Sequence, residues 1–232
     1  MKRFYKQAAA EPAEGGWRVA LDGRAIRTPA GAPQIVPTAT LAEAMAREWS
    51  AQGEEIDPAA FPWRDMADFA IDVVAGERDR TIADILAYGD TDTLCYRADP
   101  DEPLHARQRE MWEPLLQRIE ARHGIRFERV SGIVHRPQPE ETMARLRAVL
   151  EGENDFTLAA VKNLASLAAS LTVALAALED GADAEELWAA ANVEEDWQAE
   201  QWGWDSLAKD RRTSRLAAFR EAMDFARAAR AA

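Results

Sequence analysis

Cysteine and histidine are scarce in this sequence, which has one Cys and three His among its 232 residues. A single cysteine excludes an internal disulfide, as is typical of proteins kept in a reducing compartment. His105, His123 and His135 are far apart, so no pair has the i, i+4 spacing of a helical metal site. We therefore expect no metal centre, and a chain of this length can bury enough surface to fold without one.

Long hydrophobic runs and the common catalytic motifs are also missing. The longest uncharged run, Asn163–Leu178, has sixteen residues and contains Ser and Thr, so a buried core helix fits it better than a membrane span. Phosphate-binding glycine loops, the hydrolase nucleophile elbow and the H-E-x-x-H zinc motif do not occur. The first sixteen residues lack the features of a signal or transit peptide. We expect no cofactor, no membrane insertion, and a cytosolic location or the mature form of an imported protein.

Basic side chains are outnumbered by acidic ones, 28 to 41, which gives a formal net charge of −13. This sign argues against nucleic acid or an anionic membrane as the partner, since both are negatively charged. The hydrophobic share of 47% is that of a soluble globular protein, and the length suggests one large domain or two small ones.

The hydrophobic patterns change character along the chain. Trp17–Leu21 alternates and is followed by the turn dipeptide Asp22-Gly23, which predicts a hairpin. Helical periodicity then begins, with a predicted capping box at Thr40–Glu43. Pro114 predicts a kink or a fresh helix start. Up to residue 137 the pattern predicts helices at 40–52, within 62–88 (two helices, at about 62–75 and 77–88) and at 103–123. It also predicts a strand at Thr93–Tyr96 and a strand-like stretch at Ile125–Val134.

Beyond residue 137 the pattern is helical throughout. The sequence predicts helices at about 139–151, 155–178, 182–201 and 206–230, separated by glycines. We therefore predict an α+β protein with two domains: a small β-rich N-terminal domain, residues 1–137, and an all-helical C-terminal bundle, residues 138–232.

One segment, Asp90-Thr91-Asp92-Thr93-Leu94, has the spacing of a phosphotransfer motif. It resembles the D-x-D-x-T/V motif of the haloacid dehalogenase enzymes, which need the first Asp at the end of a buried parallel strand. Here the preceding residues are the end of a predicted helix, and Leu94 occupies the Thr/Val position. We expect Asp90 and Asp92 to cap backbone amides. Cys95 follows between Leu94 and Tyr96, a setting that favours a core residue over a nucleophile.

A second segment, residues 194–205, holds five acids and three Trp with no basic residue. A solvated helix face explains the acids, but it does not explain the Trp residues. Trp202 and Trp204 flank Gly203 at a predicted helix end, where partial exposure is expected. Large aromatic side chains beside charges are frequent at protein-binding hot spots. The segment therefore favours a protein-binding surface over a catalytic site.

Several short stretches together carry a resemblance to a known family. They occur in order from residue 2 to about 205: Lys2–Lys6, Leu21–Arg24, Arg27–Pro29, Leu41–Gln52 with Glu48-Trp49, Asp90–Arg97, Gln108 with Trp112–Leu116, Glu194–Gln198, and Trp202-Gly203. On these residues the sequence resembles the ATP synthase assembly chaperones that bind the free α subunit of the catalytic head.

The resemblance implies a chaperone and not an enzyme, with the α subunit of F-type ATP synthase as partner and no cofactor. It also implies a β-rich domain followed by a helical one, a bacterial cytoplasmic location (the mitochondrial matrix for a mature eukaryotic form), and a monomer when free. The implied partner-binding residues are Glu195, Gln198, Trp202, Gly203, Trp204 and Asp205. The sequence departs from the family at Lys209, which stands where His is usual.

Two other interpretations stay open at this stage. The acidic, Trp-rich face could serve a helical adaptor for another protein, and Asp90 with Asp92 could serve a phosphohydrolase. The partner that co-purifies with the protein separates the chaperone from the adaptor. The position of Asp90 and Asp92 in the folded protein distinguishes the phosphohydrolase from the chaperone and the adaptor.

Overall fold

The computed structural model describes residues 1–132 and 134–231. Its strands are β1 (Ala8–Ala13), β2 (Gly16–Leu21), β3 (Arg24–Ala25), β4 (Tyr96–Arg97) and β5 (Val130–Ser131). Its helices are α1 (Ala39–Ser50), α2 (Pro62–Phe69), α3 (Arg78–Asp90), α4 (Pro103–His123), α5 (Glu140–Glu151), α6 (Asp155–Ala168), α7 (Leu171–Ala176), α8 (Ala184–Ala191), α9 (Val193–Trp202) and α10 (Ser206–Arg230). The α+β prediction is confirmed. Ile133, in the predicted strand-like stretch, and Ala232, in the predicted helical domain, lie outside the described residues.

The chain forms two compact units that are not contiguous in sequence. The first comprises Met1–Arg78, Asn154–Ala160 and Asp224–Ala232, and the second comprises Asp79–Glu153 and Val161–Met223. Both α6 and α10 therefore contribute residues to each unit. The division at residue 137 separates the strand-bearing part of the sequence from the all-helical part, and as a domain boundary it stays a prediction.

The first unit contains an antiparallel sheet in the order β1-β2-β3. The predicted hairpin strand is β2, which pairs with β1 in a register running from Ala8↔Leu21 to Ala13↔Gly16. Strand β1 (AAAEPA) was not predicted, because its Ala and Pro residues carry no alternation and its strand state comes from pairing with β2. Gly16 is required at the start of β2, since a Cβ there would lie 2.3 Å from the carbonyl oxygen of Val36.

Helix α1 buries the face that its periodicity predicts, with Leu41, Met45 and Trp49 all in the core. Its N-cap is Thr38, whose hydroxyl accepts the backbone N–H of Leu41 at 3.1 Å. The capping box predicted at Thr40 was therefore wrong by two residues. The Thr38 hydroxyl also donates to the carbonyl oxygen of Ala228 at 2.7 Å, a contact that sequence spacing could not indicate.

The second unit is organised around α4, whose bounds match the predicted helix 103–123. The helix runs unbroken through Pro114, so the fresh start considered there is absent. Trp112 is fully buried and donates its indole N–H to the carbonyl oxygen of Ala190 at 2.7 Å. Gly124 ends the helix in the left-handed conformation, with a φ of 63°.

The predicted helix 155–178 is two helices, because the chain turns at Ala169. This residue has a φ of 49°, and its carbonyl oxygen accepts the N–H of Thr93 at 3.2 Å and the hydroxyl of Thr93 at 2.9 Å. Ser170 then caps α7 by accepting the N–H of Val173. The predicted helix 182–201 is likewise divided, into α8 and α9, at Asn192. The break at Ala169 depends on Thr93, a partner distant in sequence, which explains why periodicity alone missed it. At Asn192 the hydrogen bonds are local, with the side chain donating to the carbonyl oxygen of Trp188.

The helical region 62–88 was predicted as two helices, at about 62–75 and 77–88, and the interruption between them is confirmed. Helix α2 passes into a π-helical turn, Ala70–Val74, before α3 begins at Arg78. The predicted strand at Thr93–Tyr96 is a short 3-10 helix, Thr93–Cys95, followed by β4, which pairs in parallel with β5. Within the described residues, no helix combines the length and the apolar character needed to cross a membrane.

Candidate partner-binding site

The predicted binding residues lie at a corner between α9 and α10 in the second unit. Helix α9 ends at Trp202, and the N–H of Gly203 closes it by donating to the carbonyl oxygen of Ala199 at 2.8 Å. Gly203 has a φ of 84° and a ψ of 164°, a conformation that favours glycine. Only Trp204 and Asp205 separate it from α10, so the chain reverses within three residues.

Apolar side chains are concentrated at this corner and point to solvent. Trp202 is 79% exposed, Trp204 41% and Leu207 67%. We call these three residues the apolar corner. Exposed apolar groups of this size are uncommon in a cluster on a free monomer and mark interaction sites. The sequence predicted exposure for the two Trp residues, while Leu207 was missed because it lies within the helical pattern of α10.

Asp205 has a structural role as the N-terminal cap of α10. Its Oδ2 accepts the backbone N–H of Ala208 at 3.1 Å, and its carbonyl oxygen accepts the N–H of Lys209 at 3.0 Å. The carboxylate stays exposed beside the apolar corner, because a cap bond occupies only part of its accepting capacity. Asp205 can thus cap the helix and present negative charge at once.

Arg212 on α10 forms ion pairs with two acidic residues of α9. Its guanidinium donates to Asp196 Oδ2 at 2.7 Å and to Glu195 Oε2 at 3.3 Å. The same guanidinium lies 5.5 Å from the ring centroid of Trp204, within the range of a cation–π contact. Burial raises the pKa of Asp196, an effect that Arg212 opposes. The predicted contact residue Glu195 is therefore engaged inside the protein as well as exposed.

Helix α4 supports α9 from the other side. Gln108 is fully buried; its Nε2 donates to Glu194 Oε1 at 2.8 Å and its Oε1 accepts the N–H of Ala98 at 2.9 Å. Arg107 pairs with Glu200, an interaction that lowers the pKa of Glu200, and it lies 5.9 Å from the ring centroid of Trp197. These side chains fix α9, so its last residue, Trp202, is presented on a rigid support.

Gln198 faces away from the Arg212 contact and lines a cleft of about 810 Å³. Glu194 lines the same cleft, together with Tyr96, Asp99 and Glu102. The Tyr96 hydroxyl lies 3.0 Å from Nδ1 of His135 at the cleft wall. The lining also includes Arg97, so the cleft carries both acidic and basic groups.

The six predicted residues lie within one short stretch of the sequence, and the structure gives them different contacts and exposures. Trp202 and Trp204 are the exposed groups, Gly203 makes the turn, Asp205 caps α10, Glu195 pairs with Arg212, and Gln198 lines the cleft. The positioning residues Arg107 and Arg212 were not predicted. Gln108 and Trp112 were noted only as a motif, and their i, i+4 spacing on α4 was the one signal that they share a face.

The segment Asp90–Leu94, which has the spacing of a phosphotransfer motif, places its second aspartate in the core. Asp92 is fully buried; its carboxylate accepts the N–H of Leu94 at 3.1 Å and the N–H of Thr172 at 2.8 Å, so it caps two helix starts. Asp90 accepts the N–H of Gln138 at 3.0 Å. Over the described chain, no group of three His, Cys, Asp or Glu side chains could hold a metal ion. The capping role expected for these aspartates is confirmed.

Comparison with protein families and curated sequences gives consistent matches. The sequence matches the family model described as ATP12 chaperone protein over residues 2–120. It is 28% identical over 214 residues to the mitochondrial protein atp12 of Schizosaccharomyces pombe, covering 87% of this chain and 74% of that one.

Solved structures extend the match to nearly the whole chain. The crystal structure of Atp12 from Paracoccus denitrificans superposes with a TM-score of 0.93 at 38% identity, covering 99% of this chain and 98% of the other. An aspartate-to-lysine mutant of the same protein gives the same values. The Atu1473 protein of Agrobacterium tumefaciens has a TM-score of 0.93 at 39% identity, covering 98% of this chain and 85% of that protein.

Proposed function

This chain belongs to the ATP12 chaperone family and is not an enzyme, and on that premise we propose that it binds the free α subunit of the F-type ATP synthase catalytic head. In this role it promotes ATP synthase assembly by holding α until α joins β. The α subunit as the specific client rests on the family resemblance carried by the motifs in this sequence. The protein acts as a monomer in the bacterial cytoplasm.

The observation that supports this proposal most directly is the exposed ring of Trp202 on a fixed support. The side chain is 79% exposed, although Trp202 is the last residue of a helix held by Arg107, Gln108 and Arg212. A holdase must cover apolar surface that its client later buries against another subunit, and an aromatic group rimmed by charge suits transient burial. Because the corner is already ordered, binding costs little conformational entropy there.

The charge around the corner supports a partner with a basic rim. Of the five acids in residues 194–205, Glu195 and Asp196 pair with Arg212 and Glu200 pairs with Arg107. The negative charge left for a partner is that of Glu194 and Asp205, both exposed, with Asp205 next to Trp202 and Trp204. Negative charge at the edge of an interface accelerates encounter with a positive surface and disfavours wrong partners. Association should therefore slow as ionic strength rises, while the apolar contact at Trp202 should depend little on salt.

Binding to purified subunits tests the proposal. We expect a one-to-one complex with isolated α by size-exclusion chromatography and titration calorimetry, and no complex with isolated β. Binding to β alone, or to neither subunit, would contradict the proposal. Co-purification of the tagged protein from its own cells gives a second test. Recovery of a different protein at equal stoichiometry, without α, would instead support an adaptor function.

A further inference from the structure

A surface in the first unit carries the opposite charge from residues 194–205. Residues 1–31 contain six basic side chains and three acidic ones, a formal charge of +3 in a chain whose total is −13. Of the six, Arg18 pairs with Glu11, and Arg3 donates to the carbonyl oxygens of Tyr5, Gln52 and Lys6. Of the remaining four, Arg24 and Arg27 line a single cleft.

This cleft, which we call the N-terminal cleft, has a volume of about 530 Å³. Its lining comes from separate stretches of the sequence: Phe4, Tyr5, Leu21, Asp22, Arg24, Ala25, Ile26, Arg27 and Trp49. Leu21, Tyr5 and Trp49 are buried and form an apolar floor. Several of the motifs that open the sequence therefore meet at one place.

The floor is rigid, because its aromatic rings pack edge to face. Tyr5 lies 5.5 Å from Trp49 between ring centroids, at 78°. The Tyr5 hydroxyl donates to the carbonyl oxygen of Trp49 at 2.6 Å. Phe4 continues this series outward, 5.4 Å from Tyr5 at 78°, yet it is 65% exposed. Phe4 therefore extends the aromatic floor to the solvent, where an apolar side chain of a partner can pack against it.

The charges at the rim are available to a partner. Arg24 and Arg27 are exposed, and neither forms an ion pair within the described part of the chain. Arg27 donates one hydrogen bond, to the carbonyl oxygen of Gly31. Asp22 is the one carboxylate in the lining, and it accepts the backbone N–H groups of Gln7 at 2.9 Å and Lys6 at 3.1 Å. Asp22 keeps its single negative charge, which interacts with Arg24, and one carboxylate cannot neutralise two guanidinium groups.

We propose that the N-terminal cleft binds an acidic segment of the α subunit that carries an apolar side chain. The apolar side chain would pack on Phe4 above the aromatic floor, and carboxylates of the segment would pair with Arg24 and Arg27. Guanidinium groups suit this task because they bind carboxylates in a bidentate manner. This inference rests on the proposed function, and it adds a second contact that is distinct from the apolar corner.

The test is binding of full-length variants to isolated α subunit by titration calorimetry. Arg24→Glu/Arg27→Glu should weaken binding by at least about tenfold, since like charges would then face each other. The matched control is Arg47→Glu/Arg126→Glu, which changes the net charge equally at exposed arginines outside the cleft. The control should bind within about twofold of wild type. Equal weakening in both double variants would overturn the proposal by showing an effect of net charge alone.

Replacing Phe4 with a photo-crosslinking phenylalanine analogue identifies the occupant. We expect a crosslink to an acidic stretch of α, located by mass spectrometry. A crosslink to a second copy of this chain, or none to α while the complex is intact, would overturn the proposal. If wild-type protein fails to bind α at all, the proposed function itself is wrong. If Arg24→Glu/Arg27→Glu binds α as tightly as wild type does, the proposed contact at the N-terminal cleft is wrong, while the proposed function is unaffected.

Discussion

Arg212 on α10 donates a hydrogen bond to Asp196 on α9 at 2.7 Å, with the arginine side chain 17% exposed and the aspartate side chain 21% exposed. The contact joins two helices that the sequence separates by a sharp turn. Because burial raises the pKa of Asp196 despite Arg212, desolvation of that carboxylate outweighs the attraction. The ion pair therefore fixes geometry more than it adds stability, and its loss leaves a poorly solvated charge.

Replacing Arg212 with Ala should therefore lower the free energy of unfolding by about 1–3 kcal/mol, measured by urea denaturation. Adding Asp196→Asn should recover part of this loss, since the uncompensated charge is then gone. Arg211→Ala is the matched control; Arg211 is exposed and its one hydrogen bond is to the carbonyl oxygen of Leu207. It should change stability by less than about 0.5 kcal/mol. Equal destabilisation by Arg211→Ala would refute the structural role of Arg212.

Trp202→Ala should weaken binding to the α subunit without destabilising the protein. The ring is largely exposed, so we expect unfolding to change by less than about 0.5 kcal/mol and affinity to fall at least about tenfold. Val134→Ala, also at an exposed apolar residue but outside the apolar corner, should bind like wild type. Wild-type affinity in folded Trp202→Ala, checked by circular dichroism, would exclude the corner as a binding site.

Asp205 has two roles, which substitutions can separate. Asn keeps the cap of α10 and removes the charge, so Asp205→Asn should retain stability and bind about 3- to 10-fold more weakly. Lys removes the cap and reverses the charge, so Asp205→Lys should lose about 1 kcal/mol of stability and bind more weakly still. Asp210→Asn controls for net charge at an exposed position. Unchanged affinity in Asp205→Asn would show that the carboxylate matters only as a cap.

Cys95 should be inert in the folded protein. The thiol is fully buried, and burial raises its pKa far above the ordinary value, so almost no thiolate forms at neutral pH. Labelling with a thiol reagent should therefore follow global unfolding, whereas an exposed cysteine introduced as Ser50→Cys should react at once. Rapid labelling of Cys95 under native conditions would contradict its placement in the core.

Asp92 should make stability pH-dependent in a defined direction. Burial raises the pKa of this carboxyl in the folded state, although hydrogen bonds from Thr172, Ser170 and Leu94 lower it. The native state then binds more protons than the unfolded state above the unfolded pKa of about 3.9. Its contribution to stability is consequently lost as pH rises from there through the folded-state pKa.

The variant Asp92→Asn isolates this contribution. Asn has one oxygen where two backbone amides need an acceptor, so it should cost about 1–3 kcal/mol near pH 4. The difference from wild type should shrink toward pH 7, because only wild type has the Asp92 carboxyl, whose contribution is lost over that range, whereas the other carboxyls titrate in both proteins. Denaturation at a series of pH values measures it. A difference that grows with pH would mean that the pKa of Asp92 is lowered in the folded protein.

The sequence by itself determined the α+β class and most helices, because 3.6-residue periodicity is a local property of the chain. Helix α4 was predicted to the residue, and the acidic, Trp-rich segment ending at Asp205 was found from composition alone. The exposure of Trp202 followed from its place beside Gly203, since an aromatic residue at a helix end has no core face to join.

Only the tertiary structure decided which residues hold α9 and the other helices in place around the apolar corner. Gln108 reaches Glu194 across 86 residues of sequence, Ala169 turns where its carbonyl meets Thr93, and Asp92 caps a helix that starts at Leu171. The N-terminal cleft likewise joins Phe4 to Arg27 and Trp49. Such contacts depend on which surfaces meet after folding, and a backbone group left without a local partner can be satisfied by any suitable residue along the chain.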